Sequence, residues 1–250
     1  MGIKRHIPNF ITLLNLFSGS LAVIFAVEGN LILAAIFVAL GIFFDFFDGL
    51  AARLLDVKSE VGLQLDSLAD VVTSGVVPGI VMYQLFVKAL PANGGLGSDW
   101  NSSVFDIQMK PFALIGLLII LASAYRLAKF NVDDRQTDSF IGLPTPANAL
   151  LILSLPLILT YQPGPFISGL LLNEWFLVGL TLISCYLLNA ELPLFALKFS
   201  DWGFKKNKLR YFFILSCIIL IIFLQFIAIP VILLLYVMLS VISGRMKAKA

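Results

Sequence analysis

Four aspartates stand at helical spacing inside some of the most apolar sequence of the chain. Asp45-Phe-Phe-Asp48-Gly49-Leu-Ala-Ala52-Arg53 is followed, eight residues on, by Gly62-Leu-Gln-Leu-Asp66-Ser-Leu-Ala-Asp70. On a helix, Asp45 and Asp48 share a face that Ala52 continues, and Asp66 and Asp70 share a face one turn beyond Gly62. An Asp at the centre of a membrane helix costs about 2.5–3.5 kcal/mol on insertion scales. Four of them need neutralising, and divalent cations are the simplest means. Carboxylate oxygens suit hard ions such as Mg²⁺, Mn²⁺ or Ca²⁺. Asp45, Asp48, Asp66 and Asp70 are therefore read as ligands for two ions, which together would clamp a pyrophosphate and stabilise attacking and leaving oxygens.

Gly49, Ala52 and Gly62 fall in the same region. One reading gives them the task of leaving room for a phosphorylated ligand near the backbone. The other makes them ordinary small residues at a helix contact.

The surrounding elements must be membrane helices. The chain has 250 residues, of which 60% are hydrophobic and 13% charged, with a mean hydropathy of +0.98. Soluble domains are about half apolar and a quarter charged. A single membrane domain over residues 1–250 is expected, all-α, a polytopic bundle. Eight apolar segments approach the ~20 residues needed to span a bilayer: Phe10–Val27, Leu31–Arg53, Gly62–Leu90, Pro111–Phe130, Pro146–Tyr161, Glu174–Ala190, Tyr211–Ile227 and Ala228–Ser243. Pro230 is expected to mark the tight turn between the last two, and Pro156 to kink the fifth.

Basic residues choose the orientation. With both termini cytoplasmic, all but Lys88 and Lys110 of the 17 Lys and Arg fall inside. The expected location is the inner membrane, with a site open to the cytoplasm. The basic segment Lys198–Arg210 reads as an interfacial helix or linker. The Gly75–Gly79 pair fits close packing within the bundle at least as well as dimerisation. Cys185 and Cys217 lie in apolar runs and read as packed thiols. The one histidine, His6, sits in the basic N-terminal tail, which disfavours a zinc site or a histidine base. The N-terminus reads as an uncleaved first helix, because Asn9, Thr12 and Asn15 interrupt its apolar run. The net charge of +2 gives no reason to expect a nucleic acid partner.

The pattern DxxDGxxAR…GxxxDxxxD resembles the signature of the CDP-alcohol phosphatidyltransferase family. The resemblance covers the first six segments, a catalytic core over about residues 1–195, with two further spans over about 211–243. It implies that Asp45, Asp48, Asp66 and Asp70 bind metal, that Asp70 is also the general base, and that Gly49, Ala52, Arg53 and Gly62 contact the nucleotide along with Asp48. The run Pro8-Asn9-Phe-Ile-Thr12-Leu-Leu-Asn15 looks like the family's first-helix element, so Asn9, Thr12 and Asn15 are expected to border the nucleotide. The other reading of that run is a helix cap with two tolerated polar residues. A homodimer is also implied.

A second pair of motifs bears on the acceptor alcohol. Tyr125-Arg126-Leu-Ala-Lys129-Phe130-Asn131 and Phe140-Ile-Gly142-Leu143-Pro144-Thr145-Pro146-Ala147-Asn148 look like those of the bacterial membrane-type phosphatidylserine synthases. The resemblance implies transfer of a phosphatidyl group from CDP-diacylglycerol to L-serine within the lipid membrane. Arg126, Lys129 and Asn131 become the candidate acceptor or phosphate residues. A carboxylate-bearing acceptor needs a fixed cation, and Arg126 is the best-placed planar donor. Arg126 and Lys129 could equally hold a lipid phosphate or anchor the helix at the interface. Glycerol 3-phosphate, inositol phosphate and choline are the rival acceptors. A cation-coupled transporter is the rival of another class, because intramembrane acids often line ion paths. It is disfavoured because the acids cluster at one end, with only Thr73, Ser74, Tyr83 and Gln84 as polar groups beyond Asp70 in that segment.

Overall fold

A computed structural model describes residues 6–57, 59–90, 110–132, 140–194, 203 and 207–247. Most of the segment Lys198–Arg210 and the acidic stretch 133–139 lie outside the described residues. Among the described residues the architecture is all-helical, apart from one two-residue antiparallel bridge pairing Phe140 with Leu194 and Ile141 with Pro193.

Helix α1 (Ile7–Val27) carries Pro8 in its first turn, where the missing N–H costs nothing. Gly29, at φ 79°, makes the turn into α2 (Leu31–Leu54), and the Asn30 side chain caps α2 by accepting from the Leu33 N–H. Ala22 and Ala26 on α1 and Ala34 and Ala35 on α2 are buried. Small residues of this kind let two antiparallel helices approach closely in a membrane. A short loop leads to α3 (Glu60–Ala89), capped by Ser59, whose hydroxyl accepts from the Gly62 N–H at 2.9 Å. Just after Asp70 the helix widens into a π-helical turn, Val71–Val76.

Helix α4 (Pro111–Val132) packs along α3. A Cβ on Gly75 would lie 3.1 Å from the Ser123 Cβ, and one on Gly79 only 2.4 Å from Ile120 Cγ1. This glycine pair therefore serves packing inside the bundle. Helix α5 (Thr145–Tyr161) runs unbroken through Pro156, and at 17 residues is about 25 Å long. It is preceded by Gly142 at φ 76°, where a side chain would meet the Leu188 carbonyl oxygen at 2.7 Å. Helices α6 (Pro165–Leu171) and α7 (Glu174–Asn189) follow, bent by 60° to one another.

Among the described residues, five helical stretches are long and apolar enough to cross a membrane, and α6 with α7 would make a sixth. The last of the five, Lys208–Ser243, is not one rod. The Phe213 and Tyr236 rings lie 5.7 Å apart, whereas a straight helix would hold those residues about 35 Å apart. The stretch is a hairpin of α8 (Lys208–Leu224) and α9 (Ala228–Lys247). The reversal sits at Gln225, φ 49°, not at Pro230 as the sequence suggested. Pro230 lies in the first turn of α9, where proline fits a helix. Gln162 clamps the reversal, donating to the Leu224 carbonyl at 3.1 Å and accepting from the Ile227 N–H at 3.2 Å.

The apolar core draws on α1 to α7 and includes Ala26, Val38, Val81, Phe86, Ile119, Ile152 and Leu177. The outer faces expose Phe10, Phe17, Phe43 and Leu121, and most of α8–α9 is not buried. Such surface belongs against lipid. Cys185 and Cys217 are free, half-buried thiols.

Candidate active site

The helical register explains why the acids meet. Asp48 precedes the end of α2 by the same number of residues as Asp66 follows the start of α3, so each lies about 9 Å from the shared loop. Asp45 and Asp70 lie about one turn deeper. Helix α1 packs on both α2 and the first part of α3, while those two scarcely touch each other. Their separation leaves a cavity of about 470 Å³ with α1 as its floor. Pro8, Asn9 and Thr12 line it from α1, Asp48, Gly49 and Ala52 from α2, and Gly62 and Asp66 from α3; Val57, Ser59 and Glu60 close the loop end.

Ligand oxygens of Asp45, Asp48 and Asp66 lie within 4.8 Å of one another. Three ionised carboxylates this close repel by roughly 3 kcal/mol per pair at an effective dielectric of 20. Among the described residues, no Lys or Arg forms an ion pair with any of the four aspartates. Asp48 is buried and accepts a hydrogen bond from the Thr12 hydroxyl at 2.6 Å, which orients it without cancelling its charge. An all-oxygen, uncompensated donor set fits a hard divalent cation.

Asp70 stands outside that group of three. Its Oδ1 accepts from the Asn15 amide at 3.4 Å. Asn15 is fully buried beneath the cavity and is not part of its wall. Arg53 is exposed, and its Nε donates back to the Gly49 carbonyl at 2.9 Å; it too is absent from the wall.

The two glycines separate by role. A Cβ on Gly49 would meet nothing within 4 Å, so the space there belongs to the cavity. A Cβ on Gly62 would meet Asn9 Oδ1 at 2.9 Å and Ser59 Oγ at 2.8 Å, so Gly62 seats those side chains.

Of the acceptor candidates, Arg126 alone turns inward. It is 8% exposed, its guanidinium lies 5.9 Å from the Phe130 ring centroid, and its charge interacts with that of Asp70. Its buried Nε has no hydrogen-bond partner, and neither end of the buried Asn148 amide has one. An interfacial anchor would be largely exposed, whereas this side chain is mostly buried. Lys129 forms an exposed pair with Glu191 at 3.4 Å, an interaction of little energetic weight. Asn131 donates to Ser67 Oγ at 2.8 Å, tying the end of α4 to α3 beside Asp66. Sequence reasoning missed the Ser59–Glu60 edge of the cavity and the inward-facing Asn148. Asn148 lay in a motif already singled out.

The family model for CDP-alcohol phosphatidyltransferases matches residues 5–186, which takes in every helix named in this site. The chain belongs to the CDP-alcohol phosphatidyltransferase family. The match ends before the α8–α9 hairpin. Among relatives in this family, the CDP-diacylglycerol–serine O-phosphatidyltransferase of Bacillus subtilis is 34% identical over 159 residues, 64% of this chain and 78% of the relative. The enzyme of that name from Mycobacterium tuberculosis is 30% identical over 183 residues, 70% of this chain and 57% of the relative. An archaetidylserine synthase of Methanothermobacter thermautotrophicus is 32% identical over 151 residues, 59% of this chain and 56% of the relative. The chain thus spans little more than half the length of the latter two relatives.

Proposed function

We propose that this membrane enzyme transfers the phosphatidyl group of CDP-diacylglycerol to the hydroxyl of L-serine, giving phosphatidylserine and CMP. Family membership supports the phosphatidyl transfer. The observation that carries serine is the buried guanidinium of Arg126, unpartnered at Nε and within electrostatic reach of Asp70. The serine-specific names of the relatives point the same way.

In this reading Asn9, Thr12, Gly49 and Ala52 border the nucleotide in the cavity. Asp45, Asp48 and Asp66 would hold two divalent cations, Mg²⁺ or Mn²⁺, which when bound would neutralise the charge of the pyrophosphate. Asp70 takes the proton from the serine hydroxyl. That oxygen forms a bond to the phosphorus bearing the diacylglycerol, and the bond from this phosphorus to the bridging oxygen breaks, its electron pair leaving on CMP. Arg126 holds the serine carboxylate. No second covalent step is required.

Arg126→Lys keeps the charge and loses the planar fork. It should raise the KM for serine by roughly 10-fold and that for CDP-diacylglycerol far less. Serinol, lacking the carboxylate, should be a poor acceptor for the parent enzyme. A rise confined to the lipid KM would make Arg126 a phosphate holder. If glycerol 3-phosphate outcompeted serine, the phosphatidylglycerophosphate product would replace this reading.

The proposal includes eight spans with both termini cytoplasmic, in the inner membrane. The α8–α9 hairpin and the basic residues near the α2–α3 loop support it. In a chain with Cys185 and Cys217 replaced by Ala, Asp56→Cys should react with an impermeant thiol reagent only from the cytoplasmic side. Lys88→Cys, at the other end of α3, should react only from outside. Reversed labelling would overturn the topology.

A further inference from the structure

Beneath the cavity, three side chains form a hydrogen-bond relay. The Thr73 hydroxyl donates to Asn15 Oδ1 at 2.8 Å, and Asn15 Nδ2 donates to Asp70 Oδ1 at 3.4 Å. Asn15 and Thr73 are both fully buried. Asp70 and Thr73 are one turn apart on α3, and Asn15 of α1 lies between them. The π-helical turn Val71–Val76 begins directly after Asp70 and carries Thr73. Such insertions re-aim the side chains that follow and recur at functional sites.

Two glycines enclose the relay. A Cβ on Gly19 would lie 2.4 Å from Thr73 Oγ1. One on Gly41 would lie 2.6 Å from Thr73 Cγ2 and 2.9 Å from Asn15 Oδ1. The α1, α2 and α3 backbones therefore close on Thr73 with no space for a water to replace its hydroxyl.

An amide has a donor end and an acceptor end, and only one orientation serves an ionised carboxylate. With Thr73 donating to Oδ1, the N–H₂ end of Asn15 must face Asp70. Turned over, the amide would set its oxygen against the carboxylate. We propose that Thr73 is a positioning residue: through Asn15 it fixes the Asp70 carboxylate, holding Oδ1 and leaving Oδ2 for the incoming alcohol. The proposal rests on Asp70 acting as the base, the role given to it above.

The test compares Thr73→Val, which keeps the shape and removes the hydroxyl, with Thr73→Ser, which restores it. Turnover is measured in detergent micelles with CDP-diacylglycerol and with serine or glycerol 3-phosphate, whichever the parent enzyme uses. Rates are normalised to folded protein by thermal unfolding. Thr73→Val should lower kcat roughly 10- to 100-fold, because a buried acceptor loses its donor and the amide its fixed orientation. The KM for CDP-diacylglycerol should change by less than about 3-fold. Thr73→Ser should recover most of the lost turnover. Parental kcat in folded Thr73→Val would overturn the proposal. So would equal losses in the Ser and Val variants, which would assign the effect to the missing methyl. A parent enzyme active only with glycerol 3-phosphate would reject the serine reading and leave this comparison intact.

Discussion

Asp70→Asn should lower turnover by roughly 10²–10⁴ while CDP-diacylglycerol still binds. The substitution keeps the shape of the side chain and removes its ability to accept a proton. Asp70 lies outside the three-carboxylate group, so its loss leaves Asp45, Asp48 and Asp66 in place. The cavity wall is also untouched, since Asp70 is not part of it. Binding and chemistry should therefore separate. Release of CMP in a single turnover reports the chemical step, and equilibrium binding of CDP-diacylglycerol reports the ground state. Near-parental kcat would remove Asp70 from the role of base. A matching loss of lipid binding would instead assign it to the metal group, as the family signature allows.

The acidic cluster was legible because its determinants are local. Helical spacing sets the faces of Asp45–Asp48 and Asp66–Asp70, and the short α2–α3 loop makes the two helices antiparallel at equal depth. The eight apolar segments were legible for the same reason: each corresponds to a helix, with ends shifted by a few residues. The reversal at Gln225 was not. Proline is the stronger turn signal in a sequence, but its position relative to a helix start decides whether it breaks or opens that helix. The clamp from Gln162, more than sixty residues away, is a tertiary contact that no local pattern displays.

The same limit separates the site residues. Gly49 and Gly62 look alike in sequence, and only the packed neighbours show that one faces open space and the other seats Asn9 and Ser59. Arg126 and Lys129 are both cations at the end of an apolar helix. Rotation about α4 puts one against Phe130 and toward Asp70, the other against an exposed glutamate. Along the first-helix run, Asn9 and Thr12 line the cavity, while Asn15, lower on the helix, bonds to Asp70.

Removal of divalent cations should abolish turnover, and added Mg²⁺ or Mn²⁺ should restore it. The reason is electrostatic. Asp45, Asp48 and Asp66 bring their oxygens within 4.8 Å of one another, with no ion-pair partner among the described residues. The Thr12 hydroxyl steadies Asp48 at 2.6 Å but carries no charge. A pyrophosphate entering this cavity would add negative charge to an already repelling set, so cations must bind for the substrate to be held at all. The contributions should grade by distance from the ion. Thr12→Val removes only the orienting donor and should weaken metal binding about 10- to 100-fold. Asp48→Asn removes a charged ligand and should weaken it by at least as much, with a parallel loss of CDP-diacylglycerol affinity. Mn²⁺ titration followed by electron paramagnetic resonance reads both effects without reference to turnover. Full activity in excess EDTA would end the metal reading. Unchanged Mn²⁺ affinity in Asp48→Asn would move the ions away from this cluster.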